Sequence, residues 1–584
     1  MSASFLHGVE VIEITTGPVP ITIVKSSVIG LVGTAPTWAV RTPAIAAPIN
    51  VPTLVSSAID AATFGPAVQG YTIPYALAAV QEQGAGQVIV VNVFNPSIHF
   101  SDVVGSFTLN AQGAFSLNQM GVSNVSILPT TTSNITAEAH TFGGTPATIQ
   151  LAHGIIKAST MTVTSSPAGT TYVQGTDYSV DARTSVVTRL ATGAITATQT
   201  VLVSYSYYSG TPYSATADYG VDTINGVIAT NAGGTIPAGA TVIASFSYAD
   251  PTRVQDADII GGVTGSNYTG VQSWLTTYGT MGFFPKILIA PGYAQNADVA
   301  SALTTIAGTV RGMALVDAPP STSVATAIAN RGVAGNTFDT SSTRVVLCYP
   351  QEQFFDTGYV PTGVKLNGAL AAPAQANANA VGPYSAWVAG AMAERDLQQG
   401  YWWSVSNMQV NGILGPDVTL YASILDAASD VNTLNGAGIV TVFNAFGSGL
   451  RVWGNRSAGY PTITTPDNFI SVRRTMDVIE ESVELSMLQF LDQPISNALI
   501  TAILASVNSF VRTLIQRGAL VSGSATYNPA ENPSSAIAAG HLVFDIDVMP
   551  PPPAERISFN VYIDTTLLNQ IGSTSSLSAT VAIA

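Results

Sequence analysis

Lys286-Ile287-Leu288-Ile289-Ala290 runs directly into Pro291-Gly292, and a helical pattern follows from about Asn296 to Arg311. The arrangement returns twice. Ala314-Leu315-Val316-Asp317 precedes Ala318-Pro319-Pro320 and a helix from about Ser323 to Asn330, and Arg344 to Tyr349 is the next strand. Short unbroken apolar runs, bounded by turn residues, mark strands buried on both faces. Strand–helix units in succession predict a doubly wound parallel sheet, so the core reads as α/β. Upstream, Ser27 to Gly33 and Gln87 to Val93 have the same apolar character, with a helix from about Tyr75 to Gln83 between them. Residues 26–100 therefore read as the first part of the core, and residues 251–465 as its main part. Helices at Trp387 to Gln399 and Asp426 to Leu434 belong to the latter.

Residues 101–250 interrupt this pattern with Thr, Ser, Gly, Val and Tyr and little helical periodicity. Asp177-Tyr178-Ser179-Val180-Asp181 recurs 41 residues on (177 to 218) as Asp218-Tyr219-Gly220-Val221-Asp222. The same shift carries Thr200 to Tyr207 onto Thr241 to Tyr248. Short strands joined by Gly turns predict a β-rich, sandwich-like insertion with an internal repeat. The repeated aspartates read as turn residues, because no Asp-x-Asp-x-Asp calcium loop is present.

Composition narrows the function. Of 584 residues only 9% are charged against an ordinary share of about 25%, and net charge is −15. Phosphate backbones are gripped by Lys and Arg, so nucleic acid is a poor partner for this chain. Mean hydropathy is positive (+0.34), yet no unbroken apolar run reaches the ~18 residues of a membrane span. The N-terminus has no basic signal-like region, and the single Cys348 cannot form an internal disulfide. It reads as a buried small hydrophobe. Low charge in a chain of this size fits a surface covered by other subunits, since interface cores are depleted in charge.

Catalytic chemistry is hard to find. The five histidines, His7, His99, His140, His153 and His541, show no metal spacing, and no cofactor is expected. Neither a Gly-x-Ser-x-Gly elbow nor a phosphate loop occurs. Asp317, at a strand end, is the best lone acid, although its plainer role is to accept bonds from the adjacent turn. Glu480, Glu481 and Glu484 read as one exposed helix face. An α/β hydrolase is thus the weaker rival reading.

Residues 466–565 read as an α+β unit with helices from about Val472 to Leu491 and from Pro494 to Arg517, the second with Pro in its first turn. Strands are expected at His541 to Met549 and Arg556 to Asp564, separated by Pro550-Pro551-Pro552-Pro553. In the latter Ile557, Phe559, Val561 and Ile563 alternate with polar positions, as in a strand buried on one face.

Several phrases, taken together, resemble the contractile tail sheath proteins of bacteriophages: His7 to Glu13 with Ser27 to Ala35, Val388 to Asp396 with Gly400-Tyr401-Trp402, Leu434 to Ile439, Val452-Trp453-Gly454-Asn455-Arg456, and Phe469 to Arg474. The resemblance implies a subtilisin-like core without protease activity. It implies a homo-oligomer of hexameric discs stacked helically around a tail tube protein, with baseplate and tail terminator proteins as further partners. Contraction would drive the tube through the host envelope, in a phage virion or a tailocin-like particle, after assembly in the host bacterial cytoplasm. No membrane insertion is implied. Terminal arms, residues 1–25 and 566–584, would exchange strands between subunits through Val9, Glu10, Val11, Ile12, Ile14, Leu577, Val581 and Ile583. The accepting sheet would hold Leu542, Phe544, Ile546, Ile557, Phe559, Val561 and Ile563. The arginines Arg473, Arg474, Arg512 and Arg517 are the candidate tube contacts.

Overall fold

A computed structural model describes residues 21–571 except 41, 43–44, 85, 145–146, 368–369, 424 and 445–446. Residues 9–14 and 577–583 lie outside the described residues. The central sheet has eight strands: β1 (Ile29–Gly33), β2 (Thr53–Val55), β3 (Val88–Asn92), β4 (Ile287–Ile289), β5 (Met313–Asp317), β6 (Val345–Cys348), β7 (Ile439–Asn444) and β8 (Leu450–Trp453). Their order is β2-β3-β1-β4-β5-β6-β7-β8. The six inner strands are parallel, and β2 and β8 close the edges antiparallel.

Every residue of β3, β4, β5 and β6 is buried, which explains the unbroken apolar runs. Side chains alternate between the faces. Ile287, Ile289, Met313 and Leu315 pack on α1 (Ile73–Glu82) and α3 (Ser385–Gln398). Leu288, Ala314 and Val316 point the other way, onto α2 (Ala297–Val310). Helices on both faces bury both sides of the sheet. The chain steps from β1 outward to β3 and later from β1 to β4 in the opposite direction, so strand order reverses between β1 and β4.

The residues between β3 and β4 hold two β modules, one nested within the other. The inner module uses Thr132–Thr141, Thr148–Gln150, Ile156–Ser165, Tyr178–Asp181, Val186–Arg189 and Thr200–Tyr208. The outer module uses Phe100–Thr108, Ala114–Ser116, Val122–Leu128, Tyr219–Asp222, Val227–Thr230 and Thr241–Ala249. Pairings correspond: Thr200–Tyr208 lies between Thr132–Thr141 and Ile156–Ser165, as Thr241–Ala249 lies between Phe100–Thr108 and Val122–Leu128. Each module has its own core, one around Phe142, Val163 and Tyr205, the other around Phe115, Ile127 and Phe246. The repeated aspartates staple equivalent turns. Asp177 accepts from the Val173 and Ala194 amides at 2.7 Å each, and Asp218 from Ser214 at 2.7 Å and Thr235 at 2.8 Å. Those backbone N–H groups hold both carboxyls below the usual range.

The C-terminal unit comprises α4 (Ile470–Met487), α5 (Asn497–Gln516) and the hairpin of β9 (Ser522–Thr526) with β10 (Asp545–Met549). Pro494 stands before α5 rather than in its first turn, and Ser496 is the cap, accepting from the Leu499 amide at 3.2 Å. Among the described residues α5 alone is long and apolar enough to cross a membrane. Its apolarity serves packing: Val507, Phe510, Val511 and Leu514 form a core with Ile479 of α4 and Ala525 of β9.

Candidate functional site

The acids of α4 do not form an exposed face. Positions 474, 477, 481 and 484 recur at helical spacing, and each reaches a different part of the α/β core. Arg474 donates to both oxygens of Asp396 on α3 (2.8 and 2.5 Å) and to the Ser26 carbonyl at 3.1 Å. Arg344 forks onto Asp477 with two bonds of 2.7 Å, and Arg311 onto Glu484 at 2.7 and 2.6 Å. Glu481 pairs with Lys286, whose ammonium burial holds below the usual lysine range despite that partner. Arg473 bonds Asp477 at 2.8 Å and Glu480 at 3.0 Å.

Two of the expected tube contacts are engaged inside the subunit. The Arg474 side chain is only 6% exposed, and Arg473 is committed to two carboxylates of its own helix. Removing one partner of such a buried pair costs about 3–5 kcal/mol by stranding the other charge, so Arg474 joins α4 to the core. Arg512 and Arg517 differ. Both are exposed and neither forms an ion pair among the described residues.

Within the single chain the residues expected to form the accepting sheet do not make one sheet. Of its seven residues, only Ile546 lies in a strand, packing with Val548 on the C-terminal core. Leu542 and Phe544 precede β10. The segment from Arg556 to Asp564 pairs with no strand among the described residues. Its apolar side chains stand in the open: Phe559 is 85% exposed, Val561 89% and Ile563 97%, with Ile557 also exposed. Alternation reports which face a strand would bury once paired, and here no partner strand lies among the described residues. Among the described residues the β9–β10 sheet has two strands, so each has one edge without a ladder partner there.

Chemistry in the core is confined. Asp317 ends β5 fully buried and accepts from the Ser385 amide at 2.8 Å and its hydroxyl at 2.5 Å. The partner is the start of α3, not the adjacent turn. Burial pushes its carboxyl up to about 7, against the pull of the Ser385 bonds. Cys348 ends β6, equally buried. A cavity of about 430 Å³ opens near the reversal of strand order, lined by Thr72, Tyr75, Gly292, Asp356 and Trp387. Asp356 is occupied by Tyr75 and Gln69. Among the described residues no group of three His, Cys, Asp or Glu side chains could hold a metal.

Comparison with known proteins follows the two halves of this architecture. The phage tail sheath protein central domain matches residues 261–458, and the phage tail sheath C-terminal domain matches residues 465–564. A family of unknown function matches residues 105–211, within the β modules. The chain is 39% identical over 571 residues to the tail sheath protein of Burkholderia phage BcepMu, covering 97% of this chain and 98% of that protein. It is 26% identical to the tail sheath protein of Escherichia phage P2, over 54% of this chain and 73% of the relative. Among solved structures, the helical sheath of the anti-feeding prophage in its contracted state aligns with a TM-score of 0.48 at 14% identity. That alignment covers 96% of this chain and 100% of the other.

Proposed function

Because the chain belongs to the phage tail sheath family and is a contractile sheath subunit of the virion, we propose that it polymerises by lending its terminal segments to neighbouring copies. One observation carries this reading. The stretch from Arg556 to Asp564, in no helix or strand, exposes Ile557, Phe559, Val561 and Ile563, while β9–β10 offers strand edges that no other described residue pairs with. Added strands gain main-chain hydrogen bonds and bury alternate side chains, which is how sheet edges take up extended segments. A contact made head to tail that does not close on itself generates a helical polymer.

In this reading the subunits form hexameric discs stacked around a tail tube, assembled in the host cytoplasm between baseplate and terminator. Contraction then drives the tube through the host envelope. The α/β core is read as subtilisin-like and serves as scaffold: Asp317 and Ser385 satisfy each other away from solvent, which supports a structural role. Arg512 and Arg517, exposed near the end of α5, are the retained candidates for the tube contact.

Truncation tests the proposal. Chains lacking Met1 to Thr16, or everything after Asp564, or everything after Glu555, should fold with nearly unchanged melting temperature. Under electron microscopy they should form no long tubes. Tubes of normal length from the shortest of these chains would sink the exchange reading.

A further inference from the structure

Arg456 closes the motif Val452-Trp453-Gly454-Asn455-Arg456, and its guanidinium is fully engaged. Nε donates to Glu555 Oε1 at 2.9 Å and Nη2 to Oε2 at 2.5 Å, a bidentate fork. Nη1 donates to Asn468 Oδ1 at 2.8 Å. The cation also lies over the rings of Tyr460 and Phe469, 4.1 and 4.4 Å from their centroids. Its side chain is 17% exposed and that of Glu555 42%.

Glu555 is the last residue before the free apolar segment begins at Arg556. On its other side Pro550 to Pro553 connect it to the end of β10. Four consecutive prolines form a semi-rigid extended spacer of about 3.1 Å per residue. The tail end is thus mounted at two points: a stiff strut from the hairpin, and a charged fork on the loop after β8. Nothing beyond Glu555 makes an ion pair with the core among the described residues.

We propose that Arg456 and Glu555 form a clasp that sets the direction in which the C-terminal segment leaves the subunit, so that it is presented in advance to a second copy of this chain. The inference rests on the exchange reading above and adds the device that aims the exchanged segment. Arg456 is a positioning residue: it touches the root of the segment, not the partner. Holding a segment near its bound direction lowers the ordering cost of association. Arginine suits the task because its planar fork fits a carboxylate and stacks on aromatic rings, which lysine does not reproduce.

The test uses the full chain with Glu555→Gln and Arg456→Lys. Nitroxide labels at Thr464→Cys and Ser558→Cys, both exposed sites, report the distance between core and segment root, and the buried native Cys348 stays unlabelled. The unaltered clasp should give a narrow distance distribution in the monomer, and both variants a broad one. The concentration at which tubes form should rise roughly 5-fold in each, the scale of a lost partly exposed charge pair with its preorganisation. Melting temperature should not move, whereas a merely stabilising pair would shift it and leave the other two readings alone. Narrow distances and unchanged tube formation in both variants would overturn the clasp, even where the chain truncated after Glu555 fails to assemble. If that truncated chain assembles normally, the exchange reading falls, and the distance distributions still decide whether Glu555 aims the segment.

Discussion

Asp317 shows how burial alone reshapes a residue. Its folded carboxyl titrates near 7, above the ordinary 3.8, so the fold binds a proton that the unfolded chain releases at lower pH. The stability from this group is fully present below about pH 4 and is lost as pH rises through about 7. Asp317→Asn keeps an acceptor for the Ser385 amide and a donor toward its hydroxyl while removing the charge. Melting scans of the variant between pH 5 and 8 should show a flatter decline than the parent chain. An identical decline in both would mean that the carboxyl is ionised throughout. The position of Asp317 at a strand end was legible in the sequence, but its partner was not: Ser385 is 68 residues away, and local spacing carries no signal for it. Arg474 and Asp396 illustrate the same limit, since an arginine next to a glutamate-rich helix face suggests partners on that face.

Elements were legible where burial is complete. The strands β3 to β6 are apolar at every position except Asn92 and Asp317 at strand ends, a pattern that surface segments rarely imitate, and so the sequence marks them clearly. The edge strands β2 and β8 are short and half-buried, and the segment at Arg556 to Asp564 alternates without a partner among the described residues. The duplication was half legible. Its last three strands keep a constant shift, whereas the first three strands of each module have diverged too far to align by eye. Because Thr132 and Tyr208 are paired neighbours at the base of the inner module, the chain enters and leaves it at one place. Closing such a short gap costs little entropy. Replacing residues 131–210 with a short Gly/Ser linker should leave a folded protein that still forms tubes, judged by circular dichroism and electron microscopy. A soluble variant that never polymerises would place the inner module in the lattice.

For the whole molecule, the distribution of charge is the informative quantity. Four of 19 basic residues (Lys286, Arg311, Arg344 and Arg474) pair between α4 and the core. Arg512 is exposed on α5 and Arg517 is exposed at its C-cap. Changing both to Glu should weaken co-assembly with tail tubes in low salt, with the monomer's melting temperature nearly unchanged. Screened surface charges lose strength as salt rises, so parent and variant should converge in a salt series, and coincident curves throughout would remove the electrostatic contact. The nesting of the modules also sets an order on synthesis. Strands Phe100 to Leu128 leave the ribosome first but find their partner strand, Thr241–Ala249, only after the inner module is complete. The second edge of β1 waits longer still, until Ile287 appears, although β3 can already pair with β1 and β2. At ~5–20 residues per second these delays last several seconds, so the nascent chain matures from the middle outward. The module that is added last in the architecture is the first to become native, and the core that hosts it stays open until its insert is finished.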